Sequence, residues 1–396
     1  MRHPAALLLL ALASPLAAQT PDSTPAVDRS QGRGLIDLFG GSGLSIGNSS
    51  RWNGLRINWR DRGLQQVNGV NVTFWKASKD ANAYATVNGI ALGLVGPEAG
   101  SFNGITLGLG AVAEHHFAGV SVGVLGLVSQ GGAYGINVGG LGLVSEGRML
   151  GVNIGGLGAV GQGDVAGINI GGLGLVSQGR MQGLNVGGLG VVGQGEIDGI
   201  SIGGLGLVAE HGMRGVNFGG LAVVSNGVMT GLNFGGLAVV GDEGLTGISL
   251  SGLAIVSDGA ITGLNAAGLA VVGNEGVTGL TVAGLAIVGD GGITGIAAAG
   301  VGVVTSGRMT GFGGSIGAVR AGEIRGFSVA PWVRSDDLGG LTVGGYNETR
   351  GPMRGLAIGI YNSAYELHGF QIGLLNHARN NKPPFRYLPL LNVHLH

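Results

Sequence analysis

From residue 119 onward the hydrophobic and polar positions recur in a fixed phrase of sixteen residues. A glycine opens each unit at 119, 135, 151, 167, 183, 199, 215, 231, 247, 263, 279, 295 and 311. We number that glycine position 1. Position 2 is aliphatic (Ile136, Val152, Ile168, Leu184), and position 4 is mostly large and apolar (Val138, Ile154, Ile170, Phe218). Position 7 is leucine from Leu125 to Leu285, then Val301, and position 10 is valine from Val128 to Val304. Position 3 is usually asparagine, and charges gather at positions 11 to 16. Such period-2 alternation over short runs, with β-branched residues and no 3.6-residue period, predicts strands. Three or four glycines per unit exclude a helix. The theme continues with looser spacing on both sides, from "GLRINW" (54–59) to "GFQIGLLN" (369–376), so one elongated repeat domain of about twenty copies is expected.

Two architectures suit such a unit. One is an elongated all-β solenoid of about twenty coils of 14–16 residues; the alternative is an outer-membrane antiparallel β-barrel, because sixteen residues also hold a bilayer-spanning strand and a turn. The parity of the apolar positions favours the solenoid. Positions 2 and 4 are apolar, and the phase then switches at the glycine pair of positions 5 and 6 (Gly171 and Gly172), so that 7 and 9 follow. A corner at that pair would turn 2, 4, 7 and 9 inward together. On this reading the core is built by Leu141, Leu157, Leu173, Leu189 and Leu205 with Val144, Val160, Val176 and Val192. Asn137, Asn153, Asn169 and Asn185 form a ladder that bonds from coil to coil. Leu189→Asp should then break the fold, and Asn185→Ser should be mild. One observation favours the barrel: the turns "SEGRM", "GQGDV", "SQGRM", "GQGEI" alternate over two units, as the two ends of a meander would. The solenoid account of that alternation is Arg148 and Arg180 lying beside Asp164 and Glu196.

Composition narrows the class. Glycine supplies 88 of 396 residues, hydrophobic residues 44%, charged residues 11%, and the net charge is −1. That profile is neither collagen nor a disordered chain. It offers no basic patch for nucleic acid, and the absence of cysteine removes disulfides and thiolate chemistry. Arg2 and His3 followed by an apolar run to Ala13 and "SPLAAQ" form a signal peptide over 1–18. A polar linker (19–40), irregular N-terminal repeats (41–118), the regular block (119–310) and irregular C-terminal repeats with a cap (311–396) follow.

Candidate chemistry is sparse. "GLGAVG" (156–161) matches a nucleotide-binding glycine pattern but lies inside the repeat without a βαβ unit. His115 and His116 are adjacent, His394 and His396 share parity without a third ligand, and Asp336–Asp337 reads as a surface turn. No catalytic, cofactor or metal residues are assigned, and the chain is read as a non-enzyme. An ice-binding face would need ranked threonines, and position 3 supplies only Thr281. Trp52, Trp59, Phe74, Trp75, Trp332, Tyr346, Tyr361, Tyr365, Phe385 and Tyr387 lie outside the regular block. They are read as caps over the core's ends, with partner binding as the alternative.

The stretch "GLAIGIYNSAYELHGFQIGLLNHARNN…LPLLNV" resembles an uncharacterised family of bacterial surface repeat proteins, whose repeats read G-h-Q-h-G-L-h-N and end in an LPLhN tail. The resemblance implies an exported protein of the cell surface, outer membrane or periplasm of a diderm bacterium. It implies no catalytic residue and no ligand. The partner would be a protein, a glycan or the outer membrane.

Overall fold

The computed structural model describes residues 36–37, 41–77 and 82–395. The signal peptide and most of the linker lie outside the described residues. Among the described residues the chain is all strand and turn, 35 strands in a single hydrogen-bonded set. The strand Met149–Gly155 pairs in parallel with Val165–Gly171, which pairs in parallel with Met181–Gly187. The shorter strands Gly158–Gly161, Gly174–Ser177 and Gly190–Gly193 stack likewise. Each residue therefore meets the residue sixteen positions on, as in Asn169↔Asn185 and Val176↔Val192. A membrane meander needs antiparallel neighbours, so the chain is a β-solenoid and not a barrel. About twenty coils at roughly 4.8 Å make a rod of about 100 Å.

Within one coil the in–out alternation restarts at three places. In the unit Gly167–Gln182 the inward residues are Asn169, Gly171, Leu175, Ser177 and Met181, and Ile168, Leu173 and Val176 face out. Bends fall at Gly167, at Gly172–Leu173 and in the turn after Ser177. The first needs glycine on conformational grounds: Gly167 has φ of 109°, a region that disfavours side chains. At Gly171 the demand is steric. A Cβ there would collide with the carbonyl oxygen of Gly174 across the inside of the corner.

This arrangement reverses the expected core. Leu141, Leu157, Leu173, Leu189 and Leu205 are 50–52% exposed, Val144, Val160 and Val176 are 36–38% exposed, and Val192 is half-buried. The fully buried apolar rows are position 9 (Leu143, Ala159, Leu175, Val191, Leu207) and position 15 (Met149, Val165, Met181, Ile197, Met213). The switch of parity does lie at the glycine pair and position 9 points inward as expected, but positions 2, 4 and 7 face outward, and positions 3, 5, 11 and 15 complete the interior. The reason is room. With Gly171 closing one inner corner, the interior of each coil accommodates two large apolar side chains, and the rest must be small or must stack as a polar column. Leu189→Asp would accordingly place its carboxylate on a half-exposed edge, not in the core.

The asparagines form the expected ladder, and it runs inside. Asn137 Nδ2 donates to Asn153 Oδ1 (3.0 Å), Asn153 to Asn169 (2.9 Å), Asn169 to Asn185 (3.0 Å), and Asn185 to Ser201 Oγ (3.3 Å). All are fully buried. An amide that both donates and accepts along the axis satisfies much of its own hydrogen-bonding need, which makes burial tolerable. The column continues as Asn217→Asn233 (2.9 Å). Farther on, Asn265 lies between Ser249 and Thr281 in register, and neither atom of its amide finds a partner.

The two-unit alternation also has an interior counterpart. Position 11 is Ser145, Gly161, Ser177, Gly193, and it faces in. A Cβ on Gly161 would press on Val165 of its own coil and on the Met149 methyl of the preceding one (3.0 Å). Gly241 and Met229 repeat the relation. At these two places a long methionine in one coil fills the space that glycine leaves in the next, while Gly193 is crowded by Ile197 of its own coil, so interior packing accompanies the alternation of the turns. The expected ion pairs do form on the turns, Arg148–Asp164 at 3.5 Å and Arg180–Glu196 at 3.0 Å, but they are exposed, and such pairs contribute about 0–1 kcal/mol.

Both ends of the stack are covered by backbone. The pair Ile36–Asp37 lies antiparallel on Ser42–Ile46, and Tyr387–His394 lies antiparallel on Gly369–Ala378. These antiparallel strands pair with part of the edge that the last coil at each end would otherwise leave open. Near the N-terminal end the position-3 column carries a charge, one coil in from the buried Ser45. Arg56 is fully buried, paired with Asp61, and donates to Asn71 Oδ1 (2.7 Å) and Asn48 Oδ1 (2.9 Å). Asn58 and Thr73 also donate to Asp61, at 2.5 and 2.7 Å.

Candidate interaction surface

Inverting the core puts the large aliphatics outside, and the coil geometry lines them up. The Leu157 amide donates to the Leu141 carbonyl (2.7 Å), Leu173 to Leu157 (2.6 Å), Leu189 to Leu173 (2.6 Å), Leu205 to Leu189 (2.7 Å), and the series runs on to Val301. Because these backbones are bonded directly, the leucine side chains stack one per coil along a single edge. Position 10 valines flank the edge on one side, and position 4 residues flank it on the other. Two of the latter, Phe218 and Phe234, stack with centroids 5.0 Å apart. Ordinary monomers rarely expose contiguous apolar patches beyond about 300–600 Å².

Aromatics lie along the edge at both ends. Trp75 stands six residues after Gly69, and Trp332, Tyr346 and Tyr361 pair in register in the C-terminal coils, on the column of Gly302 and Ala318 that runs directly beside Val301. Trp59 and Trp75 lie parallel with centroids 6.2 Å apart. Tyr346 and Tyr361 stack at 5.2 Å, and Trp332 meets Tyr346 edge-on at 6.0 Å. Burial, then the nearby Glu348 carboxylate, pushes the Tyr346 phenol above its usual range. A shallow apolar hollow of about 460 Å³ lies beside this row, lined by Pro331, Gly345 and Ile360.

These positions correct the capping expectation. Trp59, Trp75 and Trp332 are outward and exposed, as are Phe74, Tyr365, Phe385 and Tyr387. Trp52 alone of the tryptophans is buried, its Nε1 donating to the Gly43 carbonyl (3.2 Å). Arg379 covers the Tyr365 ring at 4.7 Å.

The other candidate residues fall into place without converging. His116 bonds Asn103 (3.0 Å), while His115 meets the Tyr84 ring edge-on. His394 bonds Asn381 (2.5 Å), and His396 lies outside the described residues. His377 stacks on Tyr387 with centroids 4.3 Å apart; burial, then the positive charges of Arg379 and Arg386, pulls its pKa below the usual histidine value. Asp336 and Asp337 sit in the strand Trp332–Leu338, not in a turn. Gly156–Gly161 spans a corner and a short strand. Among the described residues no three His, Asp or Glu side chains gather as metal ligands would.

Sequence reasoning missed two features. Arg56 at position 3 breaks the polar-neutral pattern and could have been noticed as an outlier. The second is a threonine rank at position 16. Thr230, Thr246, Thr262, Thr278, Thr294 and Thr310 are exposed and paired in register, one coil apart.

No family model, curated protein or solved structure matches the chain.

Proposed function

We propose that this chain is an exported, non-enzymatic structural and interaction protein of the bacterial cell surface or outer membrane, presenting an extended β surface to a partner. The observation that carries the reading is the leucine edge: a stable core is already complete inside the coil, and a second apolar system faces outward along the rod. Exposed apolar rows of this length mark interaction surfaces. Export rests on Arg2, His3, the apolar run to Ala13 and the small residues at Ala17 and Ala18. The resemblance of the C-terminal repeats to bacterial surface proteins points the same way. The near-neutral charge argues against a nucleic-acid partner. Cell fractionation with protease digestion of intact cells tests the reading. The expected outcome is a chain shortened at its N-terminus, in the envelope fraction and accessible from outside. A full-length chain confined to the cytoplasm would refute it.

A further inference from the structure

We propose that the partner of the leucine edge is a second copy of this chain, two rods pairing side by side along position 7. The inference deepens the interaction reading above and rests on it. Three observations support it. The first is size. At about 4.8 Å per coil the row from Leu125 to Val301 is about 55 Å long, and positions 4 to 10 span about 20 Å around the corner, or about 1,000 Å². A stable protein–protein interface needs about 800 Å² on each partner. The second is commensurability. A second copy carries the same one-coil spacing, so leucines of one edge can seat between leucines of the other over the whole length. An isologous pairing of this kind closes on itself, because each rod offers the edge once.

The third observation is charge. Between Arg214 and Arg308 the sequence holds no Lys or Arg, whereas it holds Asp242, Glu243, Asp258, Glu275 and Asp290. Surfaces that lie on anionic lipid carry basic residues beside their apolar face. This rod carries acidic ones in that stretch, on the turns. The edge itself is free of charge from Leu141 to Val301, so two copies meet without burying an ion.

The test uses the full chain purified without denaturant. Sedimentation equilibrium should give twice the monomer mass at micromolar concentration. The triple variant Leu173→Asp, Leu189→Asp, Leu205→Asp should sediment as a monomer while its far-UV circular dichroism stays unchanged. Should that variant unfold, cysteine cross-linking decides the matter, since the natural chain has no cysteine. Leu205→Cys on the edge should form a disulfide-linked pair under mild oxidation at least tenfold faster than Gln178→Cys on the turn. A wild-type chain that stays monomeric, a folded triple variant that stays dimeric, or equal cross-linking at both sites overturns the proposal. So does a monomer that floats with phosphatidylglycerol vesicles, which would make lipid the occupant. A monomeric chain that still reaches the surface would sink the self-pairing alone; a dimer retained in the cytoplasm would sink the export reading alone.

Discussion

Two leucines in one coil, two residues apart, measure where the corner falls and which of the two it leaves inside. Leu175 is 0% exposed and stacks in register between Ala159 and Val191; Leu173 is 50% exposed on the edge. Leu175→Ala removes buried methyl groups and leaves a hole that the backbone-bonded coils above and below cannot collapse into. Fully buried Leu→Ala changes cost about 3–5 kcal/mol. Leu173→Ala forfeits about half of the transfer free energy of the same atoms and leaves no closed cavity, so about 1 kcal/mol is expected. The difference, about 2–4 kcal/mol, is readable by urea unfolding followed by circular dichroism. Hydrogen exchange over residues 165–193 would localise the effect, since a solenoid is stabilised coil by coil. Running each melt at two chain concentrations separates association along the edge, because dimer stability depends on concentration and coil packing does not. If Leu173→Ala proves as costly as Leu175→Ala at both concentrations, the outward assignment of position 7 is wrong, and the leucine edge with it.

The polar interior makes two further predictions. Asn169 donates to Asn185 and accepts from Asn153, so Asn169→Ala should cost about 1–3 kcal/mol by leaving two buried partners unsatisfied, whereas Asn265→Ala should be near neutral because Asn265 has no partner to lose; paired urea melts compare them. Asp61→Asn should cost about 3–5 kcal/mol by leaving the buried Arg56 charge without its counter-ion, and limited proteolysis should then open the N-terminal coils first.

Much of this molecule follows from one period. The recurrence of Gly135, Gly151 and Gly167 at sixteen residues, with β-branched neighbours, implies strands of fixed length stacked in register. Asn137, Asn153 and Asn169 at a constant place imply an amide ladder, and the shift of apolar parity at Gly171–Gly172 marks a corner. Each is a local or strictly periodic property, and the linear chain carries it in full. What the pattern does not carry is direction. Both parities of the repeat are rich in aliphatics, Leu173 and Leu175 on one and Ile170 and Val176 on the other, so hydrophobicity alone does not choose between them, nor does it place the bend that turns Leu173 out and leaves Leu175 in. Only the closed coil chooses. Its cross-section leaves no room for a Cβ at Gly171, it requires a small residue at Gly161 beside Met149, and it repays a buried amide with a partner one coil away. Those distances exist between segments sixteen residues apart and across a corner. The tertiary structure therefore turned the leucines outward, and with them it turned the expected core into the surface most suited to a partner.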